Sequence, residues 1–136
     1  MFVVDASVVI KWFIEEKDTA TALRLRSNHT EGKTILIAPD LLIYEVANVL
    51  LFSHLFDPVD IKKCLQDLYD LEIDLINPAI NLILPTIDLA SSKKISIYDA
   101  SYLALAREFD IKLITADEKL YGIAKELNCI ELLSSF

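Results

Sequence analysis

The sequence predicts a single α/β domain on a parallel sheet of about five strands, and three observations point there. A length of 136 residues suits one domain of ordinary size and leaves little room for another, so residues 1–136 are read as one unit. The chain is 54% hydrophobic and 25% charged with only 2 Gly and 4 Pro, which excludes disordered, collagen-like and low-complexity classes. Short β-branched runs alternate with segments of helical period, the pattern of parallel strands joined by helical crossovers.

Phe2-Val3-Val4 reads as the first strand, followed by a helix from about Ser7 to Ile14 that turns Val8, Val9, Trp12 and Phe13 inward. A second helix runs from Asp18 to about Asn28, and Ile35-Leu36-Ile37 is a strand closed by Ala38-Pro39. Asp40 suits the N-cap of a helix reaching about Ser53. Asp57-Pro58 and Asn77-Pro78 share one punctuation, a capping residue and then Pro at the first helical position. They open helices of about 58–70 and 78–92, the second of which should kink or split at Pro85. A short strand from Ile73 to Leu75 lies between them. A helix from Ile97 to Phe109, a strand from Ile111 to Thr115, a short helix from Glu118 to Leu127 and an edge strand from Ile130 to Leu132 complete the chain.

Thirteen basic against twenty-one acidic residues give a net charge of −8, a surface that repels phosphate chains and anionic membranes unless something local reverses the sign. A mean hydropathy of +0.41 is high for so acidic a chain and implies a large core plus an apolar patch kept for a partner, such as a second copy. Cys64 and Cys129 are too few for a disulfide framework and suit a reducing compartment as small core hydrophobes. The apolar start, Met1 to Ile14, lacks a basic leader region and is interrupted by Asp5 and Lys11. No run reaches the roughly 18 apolar residues of a membrane helix. The expectation is a cytoplasmic protein without membrane association.

Four acidic residues conflict with their surroundings, whereas the others fit solvated faces or helix ends. Asp5 stands at the carboxyl end of the first strand, where open α/β sheets bind ligands; the plain alternative is an N-cap for the helix near Ser7. Glu45 falls by i, i+4 spacing between Leu41 and Val49, on the stripe with Leu42, Val46 and Leu50. A carboxylate there needs a cation or a donor, with Asn48 as a candidate orienter; the alternative is a boundary glutamate whose head reaches water. Asp99 opens a helix that is apolar on nearly all sides from Ala100 to Ala106, interrupted by Ser101 and the Tyr102 hydroxyl. Its alternative is the capping box Ser96-x-x-Asp99. Asp117 follows the strand Leu113-Ile114-Thr115, and would be a plain loop residue if Thr115 and Glu118 formed a capping box of their own.

If the four converge, they need a cation. Two like charges about 4 Å apart cost roughly 1 kcal/mol in water and about 4 near a protein surface. An all-oxygen donor set selects a hard ion, Mg²⁺ or Mn²⁺. His29 and His54 lack a metal-pair spacing, which argues against zinc, and read as ordinary surface or boundary histidines.

Four motifs resemble the PIN domain family, specifically its VapC-type toxin ribonucleases, over nearly the whole chain. They are Val3-Val4-Asp5-Ala6-Ser7-Val8, the segment Pro39 to Leu50 with Glu45 and Asn48, Tyr98-Asp99-Ala100-Ser101-Tyr102-Leu103-Ala104-Leu105-Ala106, and Leu113-Ile114-Thr115-Ala116-Asp117. Each is weak alone; four in this order and spacing are specific. The resemblance implies a three-layer α/β/α sandwich on the parallel sheet, with Asp5, Glu45, Asp99 and Asp117 as the catalytic, metal-site acids. Ser7 and Thr115 would support Asp5 and Asp117, and Asn48 would be a further supporting residue. It also implies a homodimer and a small VapB-type antitoxin over the acidic groove. The net charge departs from what an RNA substrate favours: two bound divalent ions would halve it, and Lys11, Arg24, Arg26, Lys93, Lys94 and Lys119 are candidates for a basic rim, with solvated side chains as the alternative.

The implied activity is Mg²⁺- or Mn²⁺-dependent endonucleolytic hydrolysis of RNA phosphodiesters, leaving a 5′-phosphate and a 3′-hydroxyl. Two rivals stand beside it. One is a PIN-like binding module that no longer cleaves and acts through an antitoxin or dimer partner. The other is an aspartyl-phosphate hydrolase, since Asp5 also ends a first strand; that chemistry wants a second acid two residues on, where Ser7 stands.

Overall fold

A computed structural model describes residues 1–136. Its centre is a five-stranded, all-parallel sheet: β1 (Phe2–Val4), β2 (Leu36–Pro39), β3 (Asp74–Ile76), β4 (Lys112–Thr115) and β5 (Ile130–Leu132), in the order β3-β2-β1-β4-β5. Seven helices surround it: α1 (Ala6–Val9), α2 (Thr19–Thr30), α3 (Leu41–Phe52), α4 (Pro58–Asp70), α5 (Ile80–Lys93), α6 (Ile97–Glu108) and α7 (Glu118–Ala124). Right-handed crossovers from β1 through β2 to β3 place α1 to α4 on one face, and the return to β4 and β5 places α5 to α7 on the other. The packing agrees, with α3 against α1 and α4, α5 against α6, and α6 on β1, β2 and β4. The result is the three-layer α/β/α sandwich on a parallel sheet. No helix is long and apolar enough to cross a membrane.

The central strands are buried on both faces, which is why they read as continuous β-branched runs rather than as alternation. Val3, Val4, Leu36, Ala38, Leu113 and Ile114 are wholly buried, and so is Thr115. Both cysteines are free, Cys129 in the core and Cys64 packed against it. His29 is a structural bridge. Its Nδ1 accepts from the Leu36 amide (3.3 Å), which leaves Nε2 to donate to the Leu71 carbonyl (2.8 Å), tying the end of α2 to β2 and to the chain beyond α4. His54 is exposed.

Several local expectations are corrected. The first helix lasts only from Ala6 to Val9 before tightening into a 3-10 turn over Ile10–Trp12, and the indole of Trp12 at its end donates to the Ala22 carbonyl (2.9 Å). Pro39 belongs to β2, and the Asp40 side chain makes no capping bond to α3, because its backbone is already helical; its amide donates to the Ile76 carbonyl (3.1 Å). Asp57 does cap α4, by accepting from the Asp60 amide (2.8 Å). The parallel reading of Asn77-Pro78 fails, because the Asn77 carbonyl accepts from the Ala79 amide (2.9 Å) in a tight turn and α5 begins at Ile80. That helix also runs unbroken through Pro85, which faces solvent, so the carbonyl it leaves unpaired stays accessible to water.

Candidate active site

The strand order reverses between β1 and β4, and the crevice at their carboxyl ends is the topological switch point where parallel sheets bind ligands. Asp5 leaves β1 there and Asp117 follows β4. Asp5 is 6% exposed, with both carboxylate oxygens engaged. Ser7 Oγ donates to Oδ1 and Thr115 Oγ1 to Oδ2, each at 2.5 Å, and Oδ1 also accepts from the Val8 amide (3.3 Å), so Asp5 caps α1 while standing at the switch point. The same hydroxyls accept from the β4 loop, Ser7 Oγ from the Ala116 amide (2.8 Å) and Thr115 Oγ1 from the Asp117 amide (3.1 Å). Two hydroxyls thus stitch the first strand end to the fourth. Burial pushes the Asp5 carboxyl from 3.8 up to about 6; the bonds from Ser7, Thr115 and Val8 pull against that, and the charge of Asp117 adds to it.

Asp117 is exposed at the N-cap of α7, where its Oδ1 accepts from the Leu120 amide (2.9 Å). The capping box of Thr115 with Glu118 therefore does not form. Asp99 is half-buried in the first turn of α6, whose cap is Ser96: its Oγ accepts from the Asp99 amide (3.0 Å). Burial raises the Asp99 carboxyl, and the charge of Asp117 raises it further.

Glu45 stands at the margin of α3's buried face rather than in its middle. The buried stripe is Leu42, Val46 and Leu50, while Val49 is partly exposed. Its donor comes from another helix: the Tyr102 hydroxyl gives a hydrogen bond to Oε1 (2.7 Å). Burial raises the Glu45 carboxyl, the Tyr102 bond opposes that, and the charges of Asp5 and Asp99 add to the rise. Asn48 is exposed and makes no hydrogen bond to Glu45. Tyr102 is the residue that sequence reasoning passed over. Its signal was present: a phenol on an all-apolar buried helix needs an acceptor, and a glutamate on an apolar face needs a donor.

The four acids therefore share one electrostatic neighbourhood. Their donor set is all oxygen and fits a hard divalent cation. The set is not closed: no three acidic, histidine or cysteine side chains stand close enough together to hold one ion. Burial is the main cause of the raised carboxyls of Asp5, Glu45 and Asp99, and the neighbouring acids add to it.

The basic residues divide. Lys94 and Lys119 are exposed and line a cleft of about 290 Å³ whose edge is Asp99 and Asp117. Lys11 is 8% exposed and bonded to Glu16 (3.0 Å), and Lys93 is paired with Glu126, so neither projects freely over the acids. Arg24 and Arg26 lie on α2, exposed and half-buried respectively.

Comparison with known proteins follows the same outline. The profile of the PIN domain family matches residues 2–126. Ribonuclease VapC3 of Pyrobaculum aerophilum is 31% identical over 123 residues, spanning 87% of this chain and 90% of that protein. Two solved structures share the fold. The crystal structure of PAE2754 from Pyrobaculum aerophilum superposes with a TM-score of 0.68 at 21% identity, over 98% of this chain and 91% of the other. A toxin–antitoxin complex from Klebsiella pneumoniae superposes with a TM-score of 0.72 at 16% identity, over 98% of both chains. The chain belongs to the PIN domain family, as a VapC-like member.

Proposed function

We propose that residues 1–136 form one PIN domain acting as the toxin of a type II toxin–antitoxin pair, a Mg²⁺- or Mn²⁺-dependent endoribonuclease whose catalytic and metal-binding acids are Asp5, Glu45, Asp99 and Asp117. One observation carries it: around the switch point Thr115 bonds both the Asp5 carboxylate and the Asp117 amide, Asp99 and Asp117 line one cleft, and Tyr102, on the same helix as Asp99, holds Glu45. The likeness to a protein named as a VapC ribonuclease supports the reaction, and the likeness to a toxin–antitoxin complex supports the antitoxin partner. Tyr44, Leu51, Phe52 and Leu55, exposed on or just beyond α3, support an apolar surface covered in a homodimer or by the antitoxin, in the cytoplasm.

The chain's own residues prepare the chemistry. Ser7 and Thr115 fix both oxygens of Asp5, and Tyr102 fixes one oxygen of Glu45. Burial disfavours the charged form of Asp5, Glu45 and Asp99, and a bound cation would favour it. Asp99 and Asp117 supply the outer, solvent-facing donors. A divalent ion bound there would supply Lewis-acid stabilisation of charge on the phosphate and activation of water.

A non-cleaving PIN-like module is the second reading, and the absence of any preformed three-donor group favours it. Incubating purified, antitoxin-free protein with RNA separates the two. The nuclease reading expects cleavage with Mg²⁺ or Mn²⁺, 5′-phosphate ends, and loss of cleavage on adding EDTA or in Asp5→Asn. Cleavage that persists under either condition rejects it, and no cleavage under any condition selects the module.

A further inference from the structure

The cleft between the α5–α6 turn and the start of α7 has more in it than its acidic edge. Asp99 and Asp117 form that edge, Lys94 and Lys119 stand exposed beside them, and Ile95 and Ile123 give a half-buried apolar wall. Lys94 closes α5 in the left-handed conformation (φ 54°), so its side chain is carried at the turn into α6. The ion pairs of the structure engage Lys11, Lys17, Lys33 and Lys93. Lys94 and Lys119 join none of them, although two carboxylates line the same cleft. In a chain of net charge −8, this places two uncommitted ammonium groups beside the acids, where a phosphate is attracted locally.

Resting on the reading of the acids as a phosphodiester-cleaving centre, we infer that this cleft is a nucleotide subsite in which Lys94 and Lys119 hold the phosphodiester next to the scissile one and the Ile95–Ile123 wall takes the adjoining sugar or base. A volume of about 290 Å³ gives room for one nucleotide rather than several. The polar groups offered to a base edge are few: the Ser96 hydroxyl, which accepts from the Asp99 amide as the cap of α6 and keeps only its O–H to offer, the acids and the two lysines. The subsite therefore grips the backbone and tolerates any base, and sequence preference comes from elsewhere on the surface.

The test is fluorescence anisotropy of two 5′-fluorescein-labelled single-stranded RNA decamers, one of mixed sequence and one of uridines only, in Ca²⁺ over a range of salt. Lys94→Asn combined with Lys119→Gln removes both charges while keeping a residue that accepts the left-handed φ. Lys62→Gln with Lys63→Gln on exposed α4 makes the same charge change away from the cleft. The inference expects the cleft variant to bind both RNAs roughly tenfold more weakly and to lower the salt slope by about 0.7, the loss of one phosphate contact, with little change in the α4 variant. Lys119→Arg should retain the affinity. Equal losses in the two double variants, or a loss confined to one RNA, overturn the subsite; if the wild type still cleaves RNA, the nuclease reading survives. A wild-type protein that neither binds nor cleaves RNA overturns both.

Discussion

The Tyr102 hydroxyl reaches Glu45 Oε1 at 2.7 Å and joins two helices whose residues lie 57 positions apart in sequence. Tyr102 is 1% exposed on the apolar helix that covers the middle of the sheet. Its phenol has an acceptor only because Glu45 stands at the margin of α3, and Glu45 keeps a fixed oxygen only because the phenol is there. Burial and the neighbouring carboxylates hold the phenol in its protonated form, so it remains a donor throughout the ordinary pH range. Each residue satisfies the polar need of the other while leaving the second glutamate oxygen for the site.

Tyr102→Phe should keep the packing and remove that bond. A hydrogen bond to a charged group contributes about 1.5–3 kcal/mol. The Glu45 carboxyl should then rise further, and the Mn²⁺ dissociation constant should weaken about tenfold or more at neutral pH. Isothermal titration with Mn²⁺ reads this directly. A purely structural tyrosine would lower the melting temperature and leave the ion affinity unchanged.

Asp5 predicts a pH dependence with a definite sign. Its carboxyl is raised from 3.8 to about 6 in the folded state, so the contribution is fully present below about 3.8 and is lost as pH climbs through about 6. Metal-free wild type should therefore lose stability relative to Asp5→Asn over that window, by up to ~3 kcal/mol. Urea unfolding in EDTA at a series of pH values measures the difference; parallel curves for the two proteins would contradict it.

Asp99→Asn should raise the melting temperature of the metal-free protein at neutral pH, because burial and Asp117 disfavour the Asp99 charge. The same change should abolish stabilisation by Mn²⁺, which in the wild type should reach about 2.7 kcal/mol at a hundredfold excess over the dissociation constant. Thermal melts with and without Mn²⁺ supply both readings. A wild-type melt indifferent to the ion would count against a shared site.

His29→Ala should cost about 1–3 kcal/mol, since it orphans the buried Leu36 amide and the Leu71 carbonyl together. His54→Asn on the exposed turn, which keeps a residue at ease with φ 58°, should change stability by less than about 0.5 kcal/mol. Chemical denaturation of the two variants tests the contrast.

The strands and the three acids at strand ends or helix starts were legible because each rests on a local signal. Val3-Val4 and Leu113-Ile114 are apolar runs buried on both faces, and Asp5, Asp99 and Asp117 occupy positions that the chain punctuates with hydroxyls. What escaped depends on tertiary contacts. Pro85 spares its helix because it faces solvent, and Asp40 gives no side-chain cap because its own backbone is already helical. The wide apolar stripe of α3 did not say which residues face inward, and Val49 was placed on the wrong side of the boundary. Asn48 offers itself as the orienter because it is near Glu45 in sequence, whereas the donor that fixes Glu45 comes from α6.

If Asp5, Glu45, Asp99 and Asp117 serve one ion site, as proposed, the ion must draw them together, since no three of them stand close enough to hold one. Anomalous diffraction from crystals grown with Mn²⁺ tests it most directly. A peak is expected at the carboxyl ends of β1 and β4, about 2.0–2.3 Å from oxygens of Asp5 and of Asp99 or Asp117, with Glu45 drawn toward it. A peak elsewhere on the surface, or none at saturating Mn²⁺, would contradict it.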